Sequence, residues 1–226
     1  MNTTTLLLVV VVVAVVALVY VQRQFRQRRI EALQSAGAGL GLFLAPESEA
    51  AALQSSLAGF HLFSQGHSRR LIGLIQGVAR RVPTSVFDYR YFITSGNRNN
   101  RIREQTVICF ELAGAALPAF ALRPETVWNK MGTWLGGQDI DFDSAPDFSA
   151  RYLLQGADEA AVRRLFAGRV LAFLAARPGL AAEGGGDRLI FYRPDVRVKP
   201  EALGAFMEEG LEVLALFQPQ PGTQSS

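Results

Sequence analysis

Sixteen consecutive residues, Leu6 to Val21, read LLLVVVVVAVVALVYV, with no charge and a single polar atom at Tyr20. No other feature limits this chain so sharply. At about 1.5 Å per residue, about 19 helical residues span close to 30 Å, the hydrocarbon thickness of a bilayer. Thr3, Thr4 and Thr5 extend the run to that length. Valine is a mediocre helix former in water, but in lipid every backbone N–H and C=O must be satisfied within the segment. A helix is then the only single-span solution. A transmembrane helix is expected, with residues 5–21 in the lipid bilayer.

A cleaved signal peptide is the competing reading. It needs a basic leading segment, and Met1 to Thr5 has neither Lys nor Arg. It also needs small residues at a cleavage site, and Tyr20-Val21-Gln22-Arg23 follows instead. The run is therefore read as a retained anchor, with Tyr20 at the interfacial aromatic position. Arg23, Arg26, Arg28 and Arg29 flank it on one side only. Positive charge stays inside, so the N-terminus is expected outside and the following domain in the cytoplasm, at a bacterial inner membrane. The single cysteine, Cys109, cannot build an internal disulfide framework, which agrees.

The overall pI of about 9.3 invites a nucleic-acid reading. The distribution of charge removes it. The chain has 23 basic and 20 acidic residues, and the four flanking arginines are accompanied by no acid over residues 1–29. Without them, 19 basic residues face 20 acidic ones, so no basic domain remains to bind a phosphate backbone. The four arginines are expected to set topology and to meet anionic headgroups.

The rest of the chain reads as α+β: one domain with an antiparallel sheet and packed helices, behind the N-terminal transmembrane helix. The expected divisions are an anchor at 1–22, a basic juxtamembrane helix at 23–39, the domain at 40–217 and a disordered tail at 218–226. Gln22 to Ala36 continues the helix until Gly37 and Gly39. Leu40–Leu44 is a short strand candidate, and Pro46 to Leu57 a short helix. Leu71–Ala79 and Val86–Thr94 read as strands, punctuated by Arg81-Val82-Pro83-Thr84. The second alternates Phe87, Tyr89, Tyr91 and Ile93 against Asp88 and Arg90. Ser95 to Arg101 is a turn-rich loop, and Gln105–Leu112 returns as a hairpin partner. Leu117–Leu122 is a further strand, with Pro118 at its start or on an edge.

Pro124 to Trp134 reads as a helix stopped by Gly136-Gly137. Asp139–Phe142 and Arg151–Leu154 read as short strands. Asp158 caps one helix running to about Arg177, with a buried stripe through Val162, Leu165, Phe166, Val170, Phe173 and Leu174. Leu180–Glu183 and Arg188–Tyr192 flank a glycine-rich hairpin turn. Pro200 opens a last helix to Phe217, which Gly204 and Gly210 weaken unless close packing compensates.

Few residues invite chemistry. Asp139, Asp141 and Asp143 alternate and are weak candidates for a hard cation. As a calcium loop they fail, because Ser144 stands where glycine is needed and Ala150 where glutamate is needed. The favoured reading turns Ile140 and Phe142 inward and the acids to water. His61 and His67 lack a ligand spacing and read as structural or surface residues. Cys109, within TVICF, reads as a buried inert thiol. No nucleophile elbow or phosphate loop occurs. No metal or cofactor is expected. Arg98, Arg101 and Arg103 form a candidate patch for an anionic surface.

The strings VFDYRY at 86–91, SGNRNN at 95–100, QTV at 105–107, LPAFALRPE at 117–125, QDIDFDSAPDFSARYLLQG at 138–156 and RLIFYRP at 188–194 together resemble a group of bacterial single-span membrane proteins that carry a domain of unknown function. The resemblance covers about residues 70–217. It implies a membrane anchor and a bacterial source, and it brings no activity, ligand or catalytic residue. The expected role is non-enzymatic: a domain that binds a partner protein or the membrane surface, with no nucleic-acid partner. The alternative is an enzyme or small-ligand receptor with a site near Asp139–Asp143.

Overall fold

A computed structural model describes residues 2–95, 99–125 and 139–218. The apolar run lies in one uninterrupted helix, α1 (Thr3–Ala38), of 36 residues. Among the described residues this is the one helix long and apolar enough to cross a membrane. Its side chains are solvent-facing from Leu7 to Arg28, and burial begins at Arg29 and is complete at Leu33. Residues 23–39 are therefore the second half of the same helix, and its last turns pack on the domain. Gly37 is buried there because a Cβ would lie 2.5 Å from Ile75 Cδ1 and 3.3 Å from the Leu42 carbonyl.

Among the described residues, eight strands form one antiparallel sheet: β1 (Leu42–Leu44), β2 (His67–Ala79), β3 (Val82–Ser95), β4 (Asn99–Glu111), β5 (Leu117–Pro124), β6 (Tyr152–Gly156), β7 (Ala181–Gly186) and β8 (Arg188–Tyr192). Their spatial order is β1-β2-β3-β4-β8-β7-β5-β6. The hairpin expected from the aromatic strand and its return is present, with Val86 opposite Ile108 and Ser95 opposite Asn99. The glycine-rich hairpin joins β7 to β8. The β2–β3 turn is Arg80-Arg81, both at positive φ, rather than the Val82-Pro83 stretch. Pro83 is inside β3 and is tolerated because pairing with β4 starts only at Thr84, so its missing donor faces an open side.

Helices cover both faces of the sheet. On one face α1 lies with α4 (Pro146–Ser149), α5 (Glu159–Leu165), α6 (Arg169–Ala175) and α7 (Leu203–Phe217), over a core that includes Val86, Ile108, Phe120, Leu154, Phe191 and Leu214. On the other, α2 (Glu47–Ser56) and α3 (His61–Ser64) cover Phe87, Tyr89, Tyr91, Cys109 and Ile190. A sheet covered on both sides has no water-facing alternation in its centre. That is why Asp88, opposite the aromatic face of β3, is buried at 3% exposure rather than solvated.

Two expected elements differ. The single helix from Asp158 to Arg177 is two, broken at Gly168, whose φ of +50° no side-chain-bearing residue adopts readily. Of the expected stripe, Val162, Phe166, Val170 and Leu174 are buried and Leu165 and Phe173 half-buried, since α5 and α6, each about two turns long, both turn that stripe to the core. Asp139–Phe142 is irregular chain rather than a strand. It still hydrogen-bonds β6, from Ile140 N to the Leu154 carbonyl at 2.8 Å. Of the loop expected over Ser95–Arg101, Ser95 belongs to β3 and Asn99 to Arg101 belong to β4, so the strands run further than the turn-forming residues suggest; residues 96–98, the helix beyond Glu125 and the tail beyond Gln218 lie outside the described residues.

Candidate functional site

The point where α1 meets the sheet is built from one buried carboxylate. Asp88 on β3 accepts from Arg29 Nε at 2.9 Å and from Arg29 Nη2 at 3.1 Å. It also accepts from the Thr106 hydroxyl at 2.7 Å and from Arg197 Nε at 3.3 Å. Arg29 Nη2 further donates to the Val198 carbonyl at 2.7 Å, and Val198 N donates to Thr106 Oγ1 at 2.9 Å. One node thus joins α1, β3, β4 and the segment before α7. A bidentate Arg–carboxylate pair fixes angle as well as distance, so the helix leaves the domain in a defined direction.

Arg29 therefore differs from its three neighbours. Arg23, Arg26 and Arg28 are exposed on α1, while the Arg29 side chain is 14% exposed and committed to Asp88. From Val21 to Arg29 the helix rises about 12 Å. The domain is held that close below the end of the apolar run.

The other sequence candidates are dispersed. Arg103 pairs with Asp195, and Arg101 is exposed on β4. Arg98 lies outside the described residues. Asp139, Asp141 and Asp143 all face solvent while Ile140 and Phe142 are buried. Asp139 Oδ1 caps the Leu154 N–H at 2.9 Å. Its pKa is raised, chiefly by partial burial and against the pull of that N–H. The Asp141 carbonyl accepts from Arg163 at 2.7 Å. Among the described residues no group of three or more His, Cys, Asp or Glu side chains converges on a metal position.

A second polar cluster was not anticipated. Glu183 on β7 is fully buried and accepts from Leu62 N at 3.0 Å and from the Tyr192 hydroxyl at 2.8 Å. Burial pushes its pKa up to about 7, against those two hydrogen bonds. Nearby, Arg123 on β5 contacts His61 Nε2 and donates to Gln155 Oε1 at 3.3 Å. Burial, and then the Arg123 charge, pull His61 down to about 3, so it is neutral and accepts from the guanidinium. These groups are all within 5% exposure. They tie α3 to β5, β6, β7 and β8 through buried polar contacts. The only sequence sign was a lone acid among small residues in AAEGGG. Cys109 is likewise sealed, its thiol pushed up to about 12 by burial.

No family model matches the chain, and no curated protein matches it. Among solved structures, the crystal structure of the mycobacterial trehalose monomycolate transport factor A, TtfA, is similar, with a TM-score of 0.56 and 14% identity. The match covers 87% of this chain and 98% of that one, and at this identity it shows a shared fold.

Proposed function

We propose that this protein is a single-pass membrane protein whose domain is a non-enzymatic docking unit, held at the cytoplasmic face to bind a partner protein or the membrane surface. One observation carries the reading: the apolar helix runs without interruption into the domain and is locked there by the Arg29–Asp88 node and Leu33. A fixed height and angle on a bilayer suits a docking domain, because the surface it offers a neighbour is pre-organised. The polar clusters agree, since their members are buried and committed to each other. The fold likeness to a protein named as a transport factor gives the idea one concrete form, an accessory factor acting at a membrane.

The topology follows from the arginines on one flank of the run. Photo-crosslinking from exposed domain positions in the native membranes tests the docking role, together with reporter fusions at Ser226. A discrete crosslinked protein, and a C-terminal fusion that fluoresces in the cytoplasm, are expected. An active alkaline phosphatase fusion at Ser226 would overturn the cytoplasmic placement. A metabolite or metal co-purifying with the intact chain in place of any crosslinked protein would favour the ligand-site alternative.

A further inference from the structure

The packing of α1 fixes which end of the sheet faces the bilayer. Ile30 lies against Gly73, where a Cβ would come within 3.3 Å of its Cγ1, and Gly37 lies against Ile75. Moving down α1 from 30 to 37 therefore moves along β2 from 73 to 75. Moving up α1, toward the apolar run, points along β2 toward Arg70 and His67. On β3 and β4 the same direction runs from the Asp88–Thr106 level toward Ser95 and Asn99. The β3–β4 hairpin and the apolar helix thus project from the domain on the same side.

Their reach matches. Arg101 pairs with Ile93, five residues beyond Asp88 along β3, or about 17 Å along an extended strand. Val21 stands about 12 Å above Arg29 on α1. Ile102, paired with Phe92 four residues beyond Asp88, stands about 14 Å out on the same measure, so Ile102 and Arg101 reach about as far as Val21 or a few ångströms beyond it.

The chemistry over this stretch, from Arg70 about 7 Å beyond the Asp88 level out to Arg101, suits an anionic surface. Arg70 and Arg90 stand directly opposite one another on β2 and β3. Like charges so placed are destabilising unless an anion lies between them. Arg90 has Glu104 at 3.5 Å, whereas among the described residues no acid pairs with Arg70 or Arg101. Ile102, on the α1 side of β4, is 55% exposed. Beside it runs a shallow groove of ≈ 520 Å³ lined by Ile102, Arg103, Glu104, Asp195 and Arg197.

We infer that the outward ends of β2, β3 and β4 form a second membrane contact, in which Arg70 and Arg101 bind anionic lipid headgroups and Ile102 enters the interface. This rests on α1 spanning the bilayer. One transmembrane helix alone leaves the domain free to tilt against the bilayer, and a second contact off the helix axis fixes that tilt.

The test uses the full chain in lipid nanodiscs, with an environment-sensitive fluorophore at position 102 (Ile102→Cys) and quencher-bearing headgroups. Cys109 is sealed and stays unlabelled. Matched labels go on the helix (Gln22→Cys) and at the far end of β4 (Asp187→Cys). Position 102 is expected to be quenched in discs containing phosphatidylglycerol and much less in phosphatidylcholine, with position 187 unquenched in both. Arg70→Gln and Arg101→Gln should each weaken the contact about fivefold. Quenching at 22 but not at 102 overturns the hairpin contact and leaves the span standing. No quenching at 22 removes the span, and the hairpin contact with it. Equal quenching in both lipids overturns the recognition of anionic headgroups.

Discussion

Replacing Asp88 with alanine attacks the joint between the apolar helix α1 and the rest of the domain. The Asp88 side chain is 4% exposed and that of Arg29 14%, so the pair is close to the buried limit. Removing one member of a buried pair costs about 3–5 kcal/mol, mostly because the other charge is left uncompensated. Arg29 would keep the Val198 carbonyl at 2.7 Å, and Arg197 could turn fully to Glu104, already 3.0 Å away. The lower end of the range follows, about 3 kcal/mol. Arg29→Ala is milder, about 2 kcal/mol, because Asp88 keeps Thr106 and Arg197. Being in direct contact, the two should couple by about 1–2 kcal/mol in a double-mutant cycle. Urea unfolding of the full chain in nanodiscs, followed by far-ultraviolet circular dichroism, measures all three. Losses below about 0.5 kcal/mol for both single variants would refute the node as the structural joint, placing it among ordinary surface ion pairs.

The buried cluster makes a pH prediction with two opposing limbs. Glu183 has a folded pKa of about 7 against 4.5, so the fold favours its protonated form and stability falls as pH rises from 4.5 to 7, by about 3 kcal/mol in all. His61 has a folded pKa of about 3 against 6.5, so its contribution is complete above 6.5 and is lost as pH falls toward 3. Glu183→Gln should remove the falling limb and leave stability rising up to pH 6.5, whereas an unchanged pH profile would contradict the burial argument. Gly204 has open space where a Cβ would go, and Gly204→Ala should raise thermal stability by about 1 kcal/mol. Gly210→Ala should lower it, since a Cβ there meets Ile108, Phe191 and Phe110 at 3.0 to 3.3 Å. Cys109 should resist maleimide in the folded protein and react on unfolding, as followed by mass spectrometry.

Most elements were legible because local chemistry and tertiary structure agree on them. The α1 run, the β3–β4 and β7–β8 hairpins and α7 each carry a period and a punctuation that packing then uses. The misreadings share a cause. Gly168 breaks a helix without breaking its stripe, so periodicity alone could not separate α5 from α6. Asp139–Phe142 keeps a strand's alternation although it runs as irregular chain along β6. The node and the buried cluster were illegible for another reason. Arg29 looked like the last of four equivalent arginines, and Asp88 like the polar face of an amphipathic strand. Their pairing spans 59 residues of sequence. Glu183, His61 and Arg123 are likewise brought together only by the sheet order, and nothing near any one of them in sequence marks the others.

The central claim is that one helix spans the membrane and continues, without a joint, into the domain. Cysteine substituted in turn for Val12, Val16, Gln22, Arg26 and Leu33, and probed with a membrane-impermeant maleimide on each side of sealed native membranes, tests it most directly. Two protected zones are predicted, Val12–Val16 in lipid and Leu33 under the sheet, with Gln22 and Arg26 labelled from the cytoplasmic side alone. Labelling at Val12 or Val16, or a mature protein lacking them, would contradict the anchor. Labelling at Leu33 as fast as at Arg26 would contradict the continuous helix docked on the domain.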